Sequence, residues 1–275
     1  MNKVWLISGA GRGLGRAFVE EALRRDDKVI ATVRRLNDDA FFQNENVLPV
    51  IADVTDKAAV EKAVRYGIDK FGRIDVLINN AGFGMSGAFE EVSDEELRIL
   101  FETDYFGVVN VTKAVLPQMR EQKSGMILNI SSQAGAMGFL GSSAYCSAKF
   151  AVVGLSEALS MELAPFGIQV ASVLPGSFRT DFRDESSMKL PKEQLSVYAD
   201  SAVSKTRNFL LTHNHMQEGD PDKAAKFLAD IIDSGKLPKR ILIGKKCCAD
   251  VRAHLKAQID EIDSYIGASS QTDFE

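Results

Sequence analysis

Strand-length apolar runs recur six times in the first 175 residues, at Lys3 to Ser8, Lys28 to Val33, Val47 to Ala52, Ile74 to Ile78, Met126 to Ser131 and Ile168 to Leu174. Longer stretches with apolar residues at helical spacing lie between them: one ending near Arg25, then Lys57 to Phe71, Asp94 to Met119 and Ser143 to Leu163. Short apolar runs of this kind suit buried strands. Strands separated by helices pair in parallel through right-handed crossovers. A helix at Pro221 to Ser234, with proline in its first turn, and a last run at Arg240 to Gly244 bring the expected number of strands to about seven. The first 180 residues contain no Pro/Gly/Ser-rich linker, repeat or low-complexity block, so one α/β domain is expected over 1–275. Its architecture is a doubly wound parallel sheet with helices on both faces.

Sheets of this kind bind ligands beyond the carboxyl ends of their strands, and every one of the six runs ends in residues suited to that. The first gives way to Ser8-Gly9-Ala10-Gly11-Arg12-Gly13-Leu14-Gly15 at the start of a helix. Glycines at such a junction let backbone amides approach a pyrophosphate, which the positive helix end stabilises. The spacing Gly9-x-x-x-Gly13-x-Gly15 departs from the G-x-G-x-x-G dinucleotide fingerprint, because position 14 is leucine. The second run ends at Val33-Arg34-Arg35, where an NAD site of Rossmann type places an acid for the ribose 2′-hydroxyl. Arginines there match a 2′-phosphate instead, so NADP is expected over NAD, with Arg12 as a second clamp. Asp53-Val54 ends the third run and offers an acceptor for an adenine amino group, while Asn79-Asn80-Ala81-Gly82 forms a small-residue turn after the fourth.

The fifth run leads into Ser132, and a helix opening near Ser142 or Ser143 carries Tyr145 and Lys149 four residues apart on one face. A serine hydroxyl suits that helix's N-cap. A free phenol titrates at about 10, and a neighbouring ammonium favours phenolate, which makes Tyr145 a usable proton donor and acceptor. Ser132 is placed to polarise the oxygen that Tyr145 protonates. The sixth run closes at Pro175-Gly176.

Composition narrows the partners. Net charge is −5 with lysines and arginines dispersed, which argues against a nucleic-acid surface. No run reaches the length of a transmembrane helix and the first eight residues form a short apolar strand without a cleavage motif, so neither a membrane nor a leader is expected. Cys146, Cys247 and Cys248 make no disulfide framework and fit a reducing cytoplasm. Neither they nor His213, His215 and His254 have metal-site spacing, and no metal is expected.

Taken together, Gly9-x-x-x-Gly13-x-Gly15, Asn79-Asn80-Ala81-Gly82, Ser132, Tyr145-x-x-x-Lys149 and Pro175-Gly176 resemble the short-chain dehydrogenase/reductase family in its single-domain form. The likeness covers roughly Lys3 to Thr180. The run Val29 to Arg34 and the long C-terminal region are similar to the 17β-hydroxysteroid-dehydrogenase-like branch. The resemblance implies that Tyr145 is the general acid in carbonyl reduction, that Lys149 lowers its pKa and holds the nicotinamide ribose, and that Ser132 orients the substrate oxygen. It implies that Thr180, helped by the backbone near Phe178, holds the carboxamide. It also exposes a departure: the family's fourth catalytic residue is asparagine, within a pattern matched here by Phe101 to Gly107, and this chain has Asp104.

In the family, a segment corresponding to 181–220 lies over the substrate. Phe182, Met188, Leu190, Leu195, Val197 and Tyr198 are then expected to join Phe83, Met85, Phe89, Phe139 and Leu140 as walls for a hydrophobic carbonyl substrate. The region 245–275 reads as an amphipathic helix, Asp250 to Ile266, covering the site or a partner subunit, followed by a frayed tail. The expected activity is reversible NADPH-dependent reduction of a ketone or aldehyde by a cytoplasmic homodimer or homotetramer paired through its two long central helices. The alternative is an NADP-binding regulator without turnover, and a sugar-nucleotide epimerase is a more distant one.

Overall fold

The computed structural model describes residues 2–36 and 40–274. In chain order the elements are β1 (Val4–Ser8), α1 (Gly13–Arg24), β2 (Lys28–Val33), β3 (Val47–Ile51), α2 (Lys57–Phe71), β4 (Val76–Asn79), β5 (Gly84–Met85), α3 (Asp94–Phe101), α4 (Gly107–Gln122), β6 (Gly125–Ile130), α5 (Ser143–Glu162), β7 (Ile168–Pro175), β8 (Met188–Lys189), α6 (Ala202–Thr212), α7 (Pro221–Asp233), β9 (Arg240–Ile243) and α8 (Lys245–Ser269). Seven strands form one sheet in the order β3-β2-β1-β4-β6-β7-β9, every pair parallel. The order reverses between β1 and β4, and a ligand crevice opens at such a switch point.

Each strand feeds two cores. In β1, Trp5 and Ile7 pack with Phe18, Leu228 and Ile232 from α1 and α7, while Val4 and Leu6 pack with Val64, Val111 and Val115 from α2 and α4. Side chains alternate between faces along a strand, so a run apolar throughout is what a sheet covered on both sides needs. The seven-stranded, doubly wound sheet expected from the alternation is therefore present.

Three features depart from the sequence reading. The helix expected from Asp94 to Met119 is interrupted by a π-helical turn, Glu102–Phe106, before α4 resumes. A wider turn of this kind inserts one extra residue, and here it sends Asp104 into the interior, where it is fully buried. The helix also continues past the expected end at Met119: α4 runs on to Gln122 with Pro117 inside it. Pro117 is exposed, so the backbone bond it forfeits lies on the wet side of the helix, where water replaces it. The region after Thr180 is also more ordered than its loose pattern suggested. It contains α6, capped by Ser201 Oγ, which accepts from Val203 N at 3.1 Å and Ser204 N at 3.4 Å, and the short β8, which pairs with β5.

Candidate active site

A cleft of about 1020 Å³ runs along the carboxyl edge of the sheet, from Arg34 and Arg35 past the glycine turn to Tyr145 and on to Met188 and Leu210. Gly9, Gly11, Arg12, Gly13, Leu14, Asp53, Val54, Asn80, Ala81, Gly82, Ser132, Lys149, Pro175, Gly176, Phe178 and Thr180 all line it. Two expected site residues remain from the sequence: Gly15 supports the turn from behind, and Asp104 lies beneath the floor.

The cofactor half is built by close approach. Gly9 has φ of 65° and Gly13 φ of 55°, both in the left-handed region. At Gly15 a Cβ would sit 2.2 Å from Gly9 O and 2.5 Å from Asn80 Nδ2, so only glycine lets α1 seat against the turn. Asn80 Nδ2 donates to Ser8 O at 3.0 Å and Gly9 O at 3.1 Å, and Ser8 Oγ accepts from Asn80 N and Ala81 N. Ser8 thus clamps two strand tips, a role the sequence reading missed; its place one residue before the first glycine was the available signal. The first amides of α1 receive no side-chain cap, which leaves them for an anion. Asn110 Nδ2 donates to Val54 O at 2.9 Å and fixes the Asp53-Val54 turn, while Asp53 Oδ1 accepts from Thr55 N at 2.9 Å.

Arg34 and Arg35 are exposed at the tip of β2, and among the described residues no carboxylate pairs with either. Arg12, expected beside them, reaches the other way: it donates to Ser186 Oγ at 2.6 Å and Ser186 O at 3.2 Å, tying the glycine turn to the covering segment. Thr180 packs its methyl against Gly13, and its Oγ1 accepts from Phe182 N at 3.3 Å. The cleft spans the strand tips that bind a dinucleotide in folds of this order, and its glycine cradle and exposed arginines fit NAD(P).

At the other end Ser132 is extended, its Oγ accepts from Ala134 N at 3.1 Å, and it lines the cleft beside Tyr145. Ser142 stands at the N-cap of α5 without the side-chain cap expected of it, because its backbone (φ −140°, ψ 24°) is not extended. Position comes instead from Ser131, whose Oγ donates to Lys149 O at 2.9 Å. Lys149 Nζ lies 5.6 Å from the Tyr145 ring centre and donates to Ile130 O at 3.2 Å. It also pairs with Asp104 Oδ2 at 3.0 Å, and Asp104 Oδ1 accepts from Phe83 N at 3.0 Å.

The electrostatics differ from the sequence expectation. Burial alone would lower the Lys149 pKa, but Asp104 and Tyr145 together outweigh it and the ammonium is held above its usual range. Burial raises Asp104, against the pull of Lys149 and the Phe83 amide. For Tyr145 burial is again the largest influence; Lys149 lowers the phenol as expected, Asp104 raises it, and the net direction is upward. Tyr145 therefore stands protonated: burial, with Asp104 beside it, outweighs the pull of the Lys149 ammonium.

The far wall consists of Phe83, Met85, Phe139, Leu140, Phe182 and Met188, joined by Thr206 and Leu210 of α6. Phe182 lies 6.0 Å from Tyr145 between ring centres. Five residues expected in this wall do not line the cleft: Phe89, Leu190, Leu195, Val197 and Tyr198. Around them the chain docks by polar bonds. Glu91 accepts from Leu195 N at 3.0 Å and Glu96 from Lys192 N at 2.9 Å, which turns that stretch outward, and Val197 is 74% exposed. A buried ion pair, Arg207 to Glu91 at 3.5 Å, holds α6 over the cleft. No helix among the described residues is long and apolar enough to cross a membrane.

A parallel sheet wound by crossover helices, with a glycine-lined cleft along its carboxyl edge, defines a protein of the dinucleotide-binding class. Comparison with known proteins agrees: the family described as short chain dehydrogenase matches residues 3–191, and the chain belongs to that family. It is an NAD(P)-dependent short-chain oxidoreductase. It is 42% identical to Oxidoreductase BOA17 of Botryotinia fuckeliana over 248 residues, 89% of each chain. It is 37% identical to a 3-ketodihydrosphingosine reductase of Bacteroides thetaiotaomicron over 243 residues, 88% of each. A solved short-chain dehydrogenase from Streptomyces avermitilis superposes with a TM-score of 0.90 at 40% identity, covering 100% of both chains. More distant structures hold either cofactor: ElxO with NADP (29%, TM-score 0.72) and a 3-ketoacyl-(acyl-carrier-protein) reductase from Brucella melitensis with NADH (26%, TM-score 0.69).

Proposed function

We propose that the protein is an NADPH-dependent carbonyl reductase acting reversibly on a hydrophobic ketone or aldehyde. The observation that carries this reading is the meeting of Ser132, Tyr145 and Lys149 at one end of a cleft whose other end presents Arg34 and Arg35. The bound cofactor supplies the hydride. Tyr145, protonated, gives its proton to the carbonyl oxygen as it becomes an alkoxide, and Ser132 holds that oxygen. Lys149 steadies the phenolate left behind and holds the nicotinamide ribose. Thr180 and the backbone near Phe178 hold the carboxamide. Asp104 is a positioning residue, since it touches Lys149 and the Phe83 amide rather than the reacting oxygen.

The preference for NADPH is supported by two arginines exposed at the tip of β2, where a 2′-phosphate would meet them, and by Val33 in place of an acid. A substrate with a long apolar part suits the Phe and Met wall, and one relative is named for reducing 3-ketodihydrosphingosine. The exposed Phe106, Phe150 and Met161 on α5 and beside α4 support pairing of subunits through these helices. The test is NADPH consumption over hydrophobic ketones of graded length. Turnover that rises with apolar length and falls by about 10²-fold or more in Tyr145→Phe supports the reading. Binding of NADPH without consumption of it would favour the regulator instead.

A further inference from the structure

The substrate end of the cleft is covered by α6, and no residue of α8 lines it. The seat of α6 is the turn before α5: a Cβ at Gly141 would stand 3.2 Å from Val203 Cγ1. Val203, Thr206 and Leu210 recur at steps of three and four, so they share the face of α6 that this contact turns inward. Thr206 and Leu210 line the cleft, as do Phe139, Leu140 and Ser142 of the turn below. Three of these five side chains are apolar, none is charged, and the other two each bring a hydroxyl.

The fold uses neither hydroxyl. A threonine inside a helix commonly turns its hydroxyl back to the carbonyl four residues earlier, as Thr212 does to Asn208 O at 2.8 Å. Thr206 makes no such bond to Ala202, and its hydroxyl has no hydrogen-bond partner among the described residues. Ser142 holds the N-cap place of α5 but caps nothing, so its Oγ is equally without a partner among them. It lies three residues, about 4.5 Å of helix rise, before Tyr145 on the same face. Both residues are half-buried, and in a mainly apolar pocket the few polar groups are those that orient a ligand. With no charge at this corner the matching group is neutral, and two hydroxyls, each able to donate and accept, suit a third. We propose that Ser142 and Thr206 form a subsite for a hydroxyl of the substrate, a few bonds from the carbonyl that Tyr145 protonates. The substrate is then a hydroxyketone or hydroxyaldehyde with an apolar chain. This rests on the reading of Ser132 and Tyr145 as the carbonyl site and adds a second anchor to it. Held at two points, the substrate presents one face to the hydride.

Matched probes test this: methyl decyl ketone and its α- and β-hydroxy derivatives, reduced with NADPH. The wild type is expected to use the better hydroxyketone with kcat/KM about 10-fold or more above the plain ketone. Thr206→Val and Ser142→Ala should each cut that ratio several-fold and together erase it, while Thr206→Ser, which keeps the hydroxyl, should retain it. Calorimetry on the NADP⁺ complex of Tyr145→Phe asks the same question without turnover. The hydroxyketone should bind about 10-fold more tightly than the plain ketone, and adding Ser142→Ala/Thr206→Val should remove the difference. That binding difference, found in a protein whose wild type consumes no NADPH on any of the probes, would sink the reductase reading and leave the subsite standing. Equal binding of plain and hydroxylated ketones would overturn the subsite, as would a preference that survives the loss of both hydroxyls.

Discussion

Replacing Asp104 by asparagine isolates the feature in which this chain departs from its family. The carboxylate lies 3.0 Å from Lys149 Nζ, which is 5.6 Å from the Tyr145 ring centre. Asp104 is therefore under roughly 9 Å from the phenol, and at an effective dielectric of ~20 a unit charge at that range is worth about 2 kcal/mol. That corresponds to a little over one pKa unit. The sign follows from the charges: Asp104 disfavours phenolate, so its removal lowers the Tyr145 pKa. Asparagine keeps the shape and still accepts from the Phe83 amide. Alcohol oxidation needs Tyr145 ionised and reduction needs it protonated. The acid limb of the oxidation profile and the alkaline limb of the reduction profile should both move down by about one pH unit, with KM for the carbonyl substrate changed far less. Initial rates in both directions between about pH 5 and 10 measure this. Unmoved limbs, or limbs that move upward, would refute the reading that Asp104 adds to burial in holding Tyr145 protonated.

The remaining expectations concern stability and affinity. Lys149→Met leaves Asp104 buried without its counter-charge and should destabilise the fold by about 3–5 kcal/mol in urea unfolding, whereas Asp104→Asn/Lys149→Met should recover most of that; a double variant no more stable than the single one would contradict the pairing. Arg34→Ala should weaken NADPH binding about 10- to 100-fold while leaving NADH nearly unaffected, as followed by nicotinamide fluorescence; equal losses would defeat the NADPH preference. Gly15→Ala forces a methyl against Gly9 O and should lower stability by about 1–3 kcal/mol together with cofactor affinity, read by thermal unfolding with and without NADPH.

Most of the sheet was legible in the sequence because a buried parallel strand needs an unbroken apolar run and its crossover helix needs a 3.6-residue period; β1 and α2 follow those two rules directly. The cleft residues were legible for a related reason, since the fold brings every strand tip to one edge. What escaped depended on contacts between segments far apart in the chain. Arg12 turns from the β2 tip to Ser186, 174 residues on, and no local pattern records that. Phe89, Leu195 and Val197 read as wall residues because they are apolar, yet carboxylates at Glu91 and Glu96 bind the covering segment by its amides and leave those side chains outside. The π turn at Glu102–Phe106 has the composition of ordinary helix, so the inward swing of Asp104 could only be seen in three dimensions.

The central claim is that Tyr145 and Ser132 attend the reacting end of a bound nicotinamide. A crystal structure of the complex with NADP⁺ and an unreactive ketone analogue tests it most directly. The account expects the carbonyl oxygen within about 3.5 Å of both the Tyr145 and Ser132 hydroxyls, on the nicotinamide side of the cleft. A cofactor seated with its nicotinamide away from Tyr145, or an analogue whose oxygen touches neither hydroxyl, would contradict it.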